Sequence, residues 1–300
     1  RQRSFCRFLC PVGGFLSLYS MSSTMAVRPR SSAVCQSCRD KSCIAGSAQG
    51  WGCPWLIHPG RLERNNACGL CLECFKTCSR GNMSVFLRPP FSERRLEEWD
   101  EAFKAFLMLA LAVAYSAVYQ GPWGWLKAAA NVAEVTEWRF FGLYAAGLWV
   151  FALAIVPGLY VGASWLGRAL AGASADVSLR AAALAGASSL VPLGLLAWIA
   201  FSVPLVLANG SYVLTVASDP FGWGWNLFGS ADVGWSPLVP HWGQWLQAGL
   251  ILFGQAAGLK AGWNETRGLY GTDHQAVSGY APTAALVTVT TVVLLALYAG

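Results

Sequence analysis

Residues 68–78 read Cys-Gly-Leu-Cys-Leu-Glu-Cys-Phe-Lys-Thr-Cys, which is the spacing CxxCxxCxxxC. Three cysteines at this spacing can fold around one face of a cubane of iron and sulfide, and the fourth is carried toward a second cluster. The run therefore constrains this part of the chain to a loop around a metal group. We predict a [4Fe–4S] site with Cys68, Cys71 and Cys74 among its ligands, and electron transfer is the first function to consider.

A second set of cysteines lies upstream of this run. Cys35 and Cys38 form a CxxC pair, Cys43 follows, and Cys53 stands before Pro54 as at the end of a ferredoxin half. If the usual crossed pairing holds, the ligands are Cys35, Cys38, Cys43 and Cys78 for cluster 1, and Cys68, Cys71, Cys74 and Cys53 for cluster 2.

The upstream half departs from the expected pattern. Its third ligand comes two residues late, at Cys43, and Lys41 occupies the expected position. Ser79 stands where a proline normally follows the last cysteine, and residues 44–52 are inserted before Cys53. Cys43 is therefore the predicted ligand that most needs checking against a structure.

Structural zinc and disulfides are alternative uses of these cysteines. Zinc ribbons use two CxxC pairs separated by a long spacer, whereas the downstream run is compact. Disulfides suit secreted domains, but these cysteines precede a membrane domain and lie among positive charges, which indicates the reducing side of a membrane. A zinc-stabilised membrane scaffold stays open as a further alternative.

The charge of the chain is unevenly distributed. Residues 1–100 hold 14 Lys and Arg against 7 Asp and Glu, and residues 101–300 hold 7 against 8. A basic domain can bind nucleic acid, but no nucleic-acid recognition motif accompanies it, so we expect no such partner. The collection of Lys and Arg on the cytoplasmic side of membranes explains the asymmetry better.

The rest of the chain is apolar enough to be a membrane domain. Runs long enough to span a bilayer occur near residues 103–119, 140–161, 181–208, 242–259 and 281–298. Twelve of the 15 tryptophans lie beyond residue 100, many near the ends of these runs, as in an aromatic belt. We predict a membrane α-helical bundle of about five transmembrane helices, preceded by an α+β two-cluster ferredoxin-like domain.

The loop charges predict an orientation. With the cysteine-rich domain in the cytoplasm, Arg168 and Arg180 fall in an inside loop, and the loop 209–241 without Lys or Arg lies outside. This places a multi-pass protein in the cytoplasmic (inner) membrane, with a lipid bilayer as its surroundings. His241, with Asp219 and Asp232, is a possible quinol or proton site in the outer loop, although ordinary loop polarity explains these residues as well.

Domain boundaries and helix contacts are also indicated. We divide the chain into a CxxxCP segment at residues 1–20, the cluster domain at 21–91 and the membrane domain at 92–300. Ser92 is expected to cap an amphipathic entry helix that runs into the first span. Two sets of glycines at GxxxG spacing predict close helix packing, and they are Gly158 with Gly162, and Gly254 with Gly258 and Gly262.

Cys6 and Cys10 form a CxxxC pair that is followed by Pro11. Positions four apart lie on the same face of a helix, one turn from each other, and proline then ends the helix. The pair is a candidate redox-active or metal-binding site near the clusters. The alternative is two small residues at a helix end.

The sequence Arg-Ser-Phe-Cys-Arg-Phe-Leu-Cys-Pro-Val-Gly-Gly at residues 3–14, followed by the two-cluster segment, resembles the membrane polyferredoxins of the NapH, NosR and CcoG types. The resemblance covers roughly residues 3–90 and includes Arg-Asn-Asn-Ala-Cys-Gly-Leu-Cys at 64–71. It implies cytoplasmic clusters that relay electrons between a membrane quinol or flavin donor and a partner enzyme. Members of that group usually carry spans before the CxxxCP motif, so we expect this chain to be a fragment of a longer protein.

The predicted function is that of an iron–sulfur electron-transfer protein, because no catalytic constellation accompanies the cysteines. Lys41, Lys76, Arg61 and Arg64 are expected to favour an acidic redox partner. The alternative is an assembly or maturation factor for a respiratory metalloenzyme, which some members of the resembling group are.

Overall fold

The computed structural model describes residues 5, 10–92, 96–135, 138–172, 176–237 and 242–299. This part of the chain is mostly helical. Its helices are α1 Pro11–Ser20, α2 Ser32–Ser37, α3 Ser42–Ala45, α4 Glu73–Thr77, α5 Trp99–Tyr119, α6 Gly124–Ala129, α7 Val132–Val135, α8 Trp138–Val150, α9 Val156–Leu170, α10 Leu179–Ala187, α11 Leu190–Ser218, α12 Gly243–Arg267 and α13 Asp273–Ala299. A π-helical segment, Phe151–Ile155, joins α8 to α9.

A two-stranded antiparallel sheet closes the cysteine-rich segment. Strand β1, Met25–Pro29, pairs with strand β2, Met83–Leu87, so that the first residue of β1 lies opposite the last residue of β2. All eight predicted cluster ligands lie in the chain between these two strands. The sheet therefore holds together the two ends of the segment that contains them, and short helices α2 to α4 occupy the region between.

Four helical stretches are long and apolar enough to cross a membrane within the described residues. They are Trp99–Tyr119, Trp138–Leu170, Leu179–Ser218 and Asp273–Tyr298. These stretches contain the predicted spans at 103–119, 140–161, 181–208 and 281–298. The fifth predicted span, at 242–259, lies in α12, which is long enough to cross a membrane but not apolar enough. The prediction of about five spans is therefore corrected to four candidate spans in the described residues.

Glutamines explain why α12 falls short. Gln244, Gln247 and Gln255 interrupt its apolar run. The amide of Gln247 is buried and donates to Gln120 Oε1 and to the carbonyl of Ala200, both at 3.0 Å. A polar side chain used in this way is satisfied by neighbouring helices, while it lowers the hydropathy on which span prediction depends.

Helix α12 nevertheless packs among the apolar helices. It runs antiparallel to α11. Gln247, early in α12, contacts Ala200 in the first half of α11, whereas Gly258, later in α12, packs on Ser189, just before α11 begins. The main core contains residues of α1, α5, the π segment, α9 and α10 to α13. Leu18 of α1 belongs to this core, so part of the segment predicted as separate, residues 1–20, packs on the helical domain.

The two glycine sets behave differently. A Cβ added at Gly254 would meet residues of α11, and one added at Gly258 would meet Ser189, which immediately precedes α11. A Cβ added at Gly262 would meet Ser189 and Tyr280 of α13. A Cβ added at Gly158 or Gly162 would meet nothing within 4 Å. The repeat in α12 is therefore a packing seam, as predicted, whereas the pair in α9 faces away from its neighbours.

Two helix boundaries differ from the predictions or refine them. Residues 93–95 of the predicted entry helix lie outside the described residues. No continuous helix runs from Ser92 into the first span, because residues 96–98 are not helical and α5 starts at Trp99, where Glu98 and Glu101 form a capping box. The apolar stretch Leu179–Ser218 is broken at Ser188 and Ser189. Pro192 causes the break, because it cannot donate to the Ser188 carbonyl and its ring clashes with that group.

We expect Gly258→Ala to destabilise the helical domain by roughly 1–3 kcal/mol, because the new methyl group would collide with the carbonyl of Ser189. Gly158→Ala is the matched control, and its better helix propensity should leave stability unchanged or raise it by up to about 1 kcal/mol. Unfolding of the purified protein in detergent, followed by circular dichroism, measures both. Equal effects of the two substitutions would contradict the packing seam.

Candidate functional site

Eight cysteines line two neighbouring hollows in the segment between β1 and β2. Cys35, Cys38, Cys43 and Cys78 line the first hollow. Cys53, Cys68, Cys71 and Cys74 line the second hollow. The two hollows have similar cavity volumes, about 20 Å³ each. The cysteines are therefore grouped in space as the crossed pairing expects.

The displaced Cys43 occupies the position equivalent to Cys74. Lys41 has left-handed backbone (φ 44°) and precedes α3, in which Cys43 is the second residue. Leu72 likewise has left-handed backbone (φ 59°) and precedes α4, in which Cys74 is the second residue. The two extra residues before Cys43 lie ahead of this shared turn, so they lengthen the loop without removing the cysteine from its hollow.

Left-handed backbone recurs around both hollows. Besides Lys41 and Leu72, Leu56 has φ 55° and Leu70 has φ 48°. Each non-glycine residue in this region costs about 1–2 kcal/mol and persists only where the surroundings dictate it. Such strain is concentrated at ligand-holding loops, and here it turns the backbone on both sides of Cys71.

Close packing requires glycine at two points beside the cysteines. A Cβ on Gly60 would lie 2.6 Å from Cys35 Cβ and 2.8 Å from its Sγ. A Cβ on Gly69 would overlap the indole ring of Trp55. The chain can therefore approach Cys35 at one hollow and Trp55 at the other only because these positions carry no side chain.

The two hollows are adjacent. The backbone N–H of Cys53, which lines the second hollow, donates to the carbonyl of Cys43, which lines the first, at 2.9 Å. Cys43, Cys68 and Cys78 pack on one small core of Val27, Cys74 and Met83. Residues of both predicted ligand sets therefore share a single interior.

Asn82 is a site residue that the sequence reasoning missed. Its backbone N–H donates to Cys78 Sγ at 3.3 Å, and its side-chain amide donates to Cys35 Sγ at 3.2 Å. Asn82 is buried and immediately precedes β2. No recognised motif includes an asparagine four residues after the last cysteine, so only the fold reveals this contact.

Burial keeps several of the thiols protonated in the absence of a bound group. It raises the pKa of Cys74 to about 12 and that of Cys43 to about 11, and it also raises the pKa of Cys68. Neighbouring thiols add to the shift at Cys74 and at Cys43. Because iron binds thiolates, occupation of these positions must release protons.

Asp40 lies at the edge of the first hollow. The thiol of Cys38 donates to its carboxylate at 2.8 Å, and this bond, followed by one from Ser79, lowers the pKa of Asp40 to about 2. Asp40 is exposed and stays ionised at neutral pH. It is therefore a fixed negative charge beside Cys38.

Charged and amide side chains join the segment before Cys68 to the start of α5. Arg64 pairs with Glu101 at 2.9 Å and with Glu97 at 3.0 Å, and Asn66 donates to Glu101 at 2.6 Å. The neighbouring Asn65 is fully buried and accepts a bond from Arg28. This junction fixes the second hollow to the helical domain.

The junction corrects one predicted role. Arg64 was expected to face an acidic redox partner, but its side chain is only 17 % exposed and pairs with residues of this chain. Lys41 and Arg61 are exposed. Lys76 is exposed as well, although it pairs with Glu73 at 3.1 Å.

Of the other predicted residues, Cys10 and Asp219 line neither hollow. Cys10 is a partly exposed free thiol at the start of α1, and Cys6 lies outside the described residues, so their pairing stays a prediction. In the loop after α11, Asp219 accepts bonds from the backbone N–H groups of Trp223 and Gly224, which is an ordinary turn. His241 also lies outside the described residues.

A cleft of about 690 Å³ lies where the cysteine-rich segment meets the helices. It is lined by residues after β2, including Pro90 and Phe91, and by residues of α11 and α12, including Phe253 and Lys260. Its lining is largely apolar, and the buried hydroxyl of Ser22 in it has no hydrogen-bond partner in the described structure. A cleft of this size and character can admit an amphiphilic molecule.

Within the described residues, no three Cys, His, Asp or Glu side chains are placed to hold a single metal ion, and the cysteines form no disulfide. The sulfurs instead surround each hollow. Comparison of the chain with protein-family models, curated proteins and solved structures finds no match.

We expect Glu101→Ala to lower the unfolding free energy by roughly 3 kcal/mol, because it leaves Arg64 and Asn66 without their shared buried partner. Arg267→Ala is the control, since its pair with Asp273 is exposed and should be worth less than about 1 kcal/mol. Denaturation in detergent micelles measures both. A loss at Glu101 no larger than at Arg267 would contradict a structural junction.

Proposed function

We propose that this chain is a membrane-bound electron-transfer protein that holds two [4Fe–4S] clusters and relays electrons between a membrane donor and a redox partner. The observation that carries the proposal is the grouping of eight cysteines into two sets of four, one around each hollow. The resemblance of residues 3–90 to the membrane polyferredoxins supports the same function.

The donor set fits the proposed group. Each hollow offers four sulfurs, which is the number of ligands that a [4Fe–4S] cluster takes. A single zinc ion would need four sulfurs about 2.3 Å from one point, and the described side chains are not gathered in that way. The buried Nδ1 of His58, which lines the first hollow, has no hydrogen-bond partner in the described structure. A polar group bound in the hollow could form a hydrogen bond with this nitrogen.

A bound [4Fe–4S] cluster would supply one-electron chemistry, and this chain would supply ligands, placement and surroundings. Cys35, Cys38, Cys43 and Cys78 would hold one cluster, and Cys53, Cys68, Cys71 and Cys74 the other. The junction of Arg64 with Glu101 holds the second hollow against the helical domain. A fixed position on the helical domain suits exchange with a donor in the membrane.

The membrane setting is proposed from sequence and helices together. Four helices are long and apolar enough to span, and the excess of Lys and Arg falls in the cysteine-rich third of the chain. We therefore place the protein in the cytoplasmic membrane with its hollows on the cytoplasmic side. The exposed cations Lys41 and Arg61 favour an acidic face on the redox partner.

A quinol is the proposed form of the membrane donor. The cleft at the junction, rather than the outer loop, is the place where such a molecule could reach the cluster segment, because it opens between that segment and α12. Its apolar lining and its few polar groups suit a ring with a hydrocarbon tail.

Anaerobic purification tests the proposal. We expect a brown protein with about eight iron and eight sulfide per chain, since two [4Fe–4S] clusters require them. Cys43 and Cys74 occupy equivalent positions in the two hollows. The substitutions Cys43→Ser and Cys74→Ser should therefore each remove about half of the iron. Cys10→Ser is the control and should keep all of it.

A colourless protein that contains zinc would refute the proposal. Loss of all iron from Cys74→Ser with none lost from Cys43→Ser would refute the cluster in the first hollow alone. Electron paramagnetic resonance after reduction with dithionite distinguishes these outcomes, because each intact cluster contributes its own signal.

A further inference from the structure

The two hollows differ in the groups that line them. The first hollow is lined by charged and polar side chains besides its cysteines, and these are Lys41, Ser42, His58, Ser79, Arg80 and Asn82. The second hollow is lined by Val27, Trp55, Ile57, Pro59, Leu62, Gly69 and Leu72, of which none carries a charge. Nothing in the spacing of the cysteines predicts this contrast.

We infer that the cluster in the first hollow has the higher reduction potential, and that Asn82 is a residue that sets the difference. The inference rests on the proposed function, because it concerns the clusters proposed there. Hydrogen bonds to the cysteine sulfurs, net charge and exposure are the means by which a protein adjusts such a potential.

Asn82 acts through two donors on two different ligands. Its backbone N–H points at Cys78 Sγ and its side-chain N–H at Cys35 Sγ, at 3.3 and 3.2 Å. Reduction adds negative charge that is shared with the thiolate sulfurs, and N–H donors stabilise that charge. Both bonds therefore favour the reduced state of the first cluster.

Neighbouring backbone groups fix the orientation of the Asn82 amide. The N–H of Ser31 donates to Asn82 Oδ1 at 3.1 Å, and the carbonyl of Ser31 accepts from Asn82 Nδ2 at 2.7 Å. A flipped amide would place oxygen against oxygen and would lose both bonds. The second hydrogen of Nδ2 is therefore directed at Cys35 Sγ.

The charges around the first hollow act mainly in the same direction. Lys41 and Arg80 line it, and positive charge favours the more negative, reduced state. Asp40 opposes them, since its carboxylate lies against Cys38. Lys41, Arg80 and Asp40 are all exposed, so water screens the effect of each of these charges, whereas Asn82 acts from a buried position.

The second hollow offers weaker stabilisation of the negative charge that reduction adds. Arg28 lies close enough to influence Cys68, but it does not line the hollow and its guanidinium donates to Asn65 and to the carbonyls of Val27 and Glu63. The backbone N–H of Leu70 lies toward Cys68. An apolar lining otherwise disfavours added negative charge, so the second cluster is the harder one to reduce.

The order of potentials has a spatial meaning. Cys68 follows two residues after Asn66, which is bonded to Glu101 at the start of α5, so the second hollow belongs to the end of the segment that is fixed to the helices. The first hollow carries the exposed Lys41 and Arg80. An electron shared between the two hollows therefore rests preferentially in the one that faces a soluble partner.

The experiment is a redox titration of the purified protein, followed by electron paramagnetic resonance. Cys43→Ser and Cys74→Ser first assign each signal to its hollow. In the unchanged protein we expect the first-hollow signal to appear at the higher potential. In Asn82→Leu we expect it to shift downward by at least a tenfold change in the ratio of oxidised to reduced cluster, which is about 59 mV for one electron.

The second-hollow signal is the internal control and should stay in place. Asn82→Asp keeps an acceptor for the Ser31 N–H while it removes the donors to Cys35 and to the Ser31 carbonyl, and it should shift the first signal in the same direction. The iron content of each variant shows whether its clusters, and hence its fold, are intact. Asp40→Asn should shift that signal upward, because it removes the opposing charge.

Equal potentials in the unchanged protein, a reversed order, or a shift of both signals together in the Asn82 variants would overturn the inference while leaving the two clusters established. Iron and sulfide are measured on the same samples. Their absence would instead refute the proposed function, and the inference with it.

Discussion

The scarcity of apolar side chains inside the cysteine-rich segment is the constraint on which its structure depends. The segment's own core consists of Val27 of β1, Met83 of β2 and Cys74, with Leu70 and other cysteines packed around them. A unit of this size with so small an apolar core usually needs a metal or disulfides to be stable. The proposed clusters would replace the missing core, and ligand binding would then contribute directly to folding.

Polar groups attach the segment to the start of α5. Arg64 and Asn66 converge on Glu101, whose burial makes these bonds specific. A buried charge tolerates few alternative partners, and this fixes how the second hollow sits on α5. The exposed ion pairs elsewhere on the chain cannot provide such a constraint.

The helical domain was largely predictable because hydropathy reports length and composition directly. Four of the five predicted spans lie in helices that are long and apolar enough to cross a membrane. The fifth prediction failed at α12, where Gln247 is satisfied by Gln120 and Ala200. Hydropathy counts each residue alone, so it cannot register that a polar group has a partner on another helix. For the same reason the GxxxG spacing was informative at Gly258 and uninformative at Gly158.

The sequence by itself determined the local chemistry: eight cysteines, their predicted grouping in two sets, the long apolar helices and the uneven charge. These follow from residue types and short spacings, which act within one or two turns of chain. Only the tertiary structure decided that Cys43 shares the position of Cys74, that Arg64 faces α5, and that Asn82 reaches two sulfurs. Each of these depends on residues distant in the chain that meet through the sheet or the junction, and no local pattern encodes such a meeting. The CxxCxxCxxxC run thus specified candidate ligands, while the fold specified the unequal surroundings in which they lie.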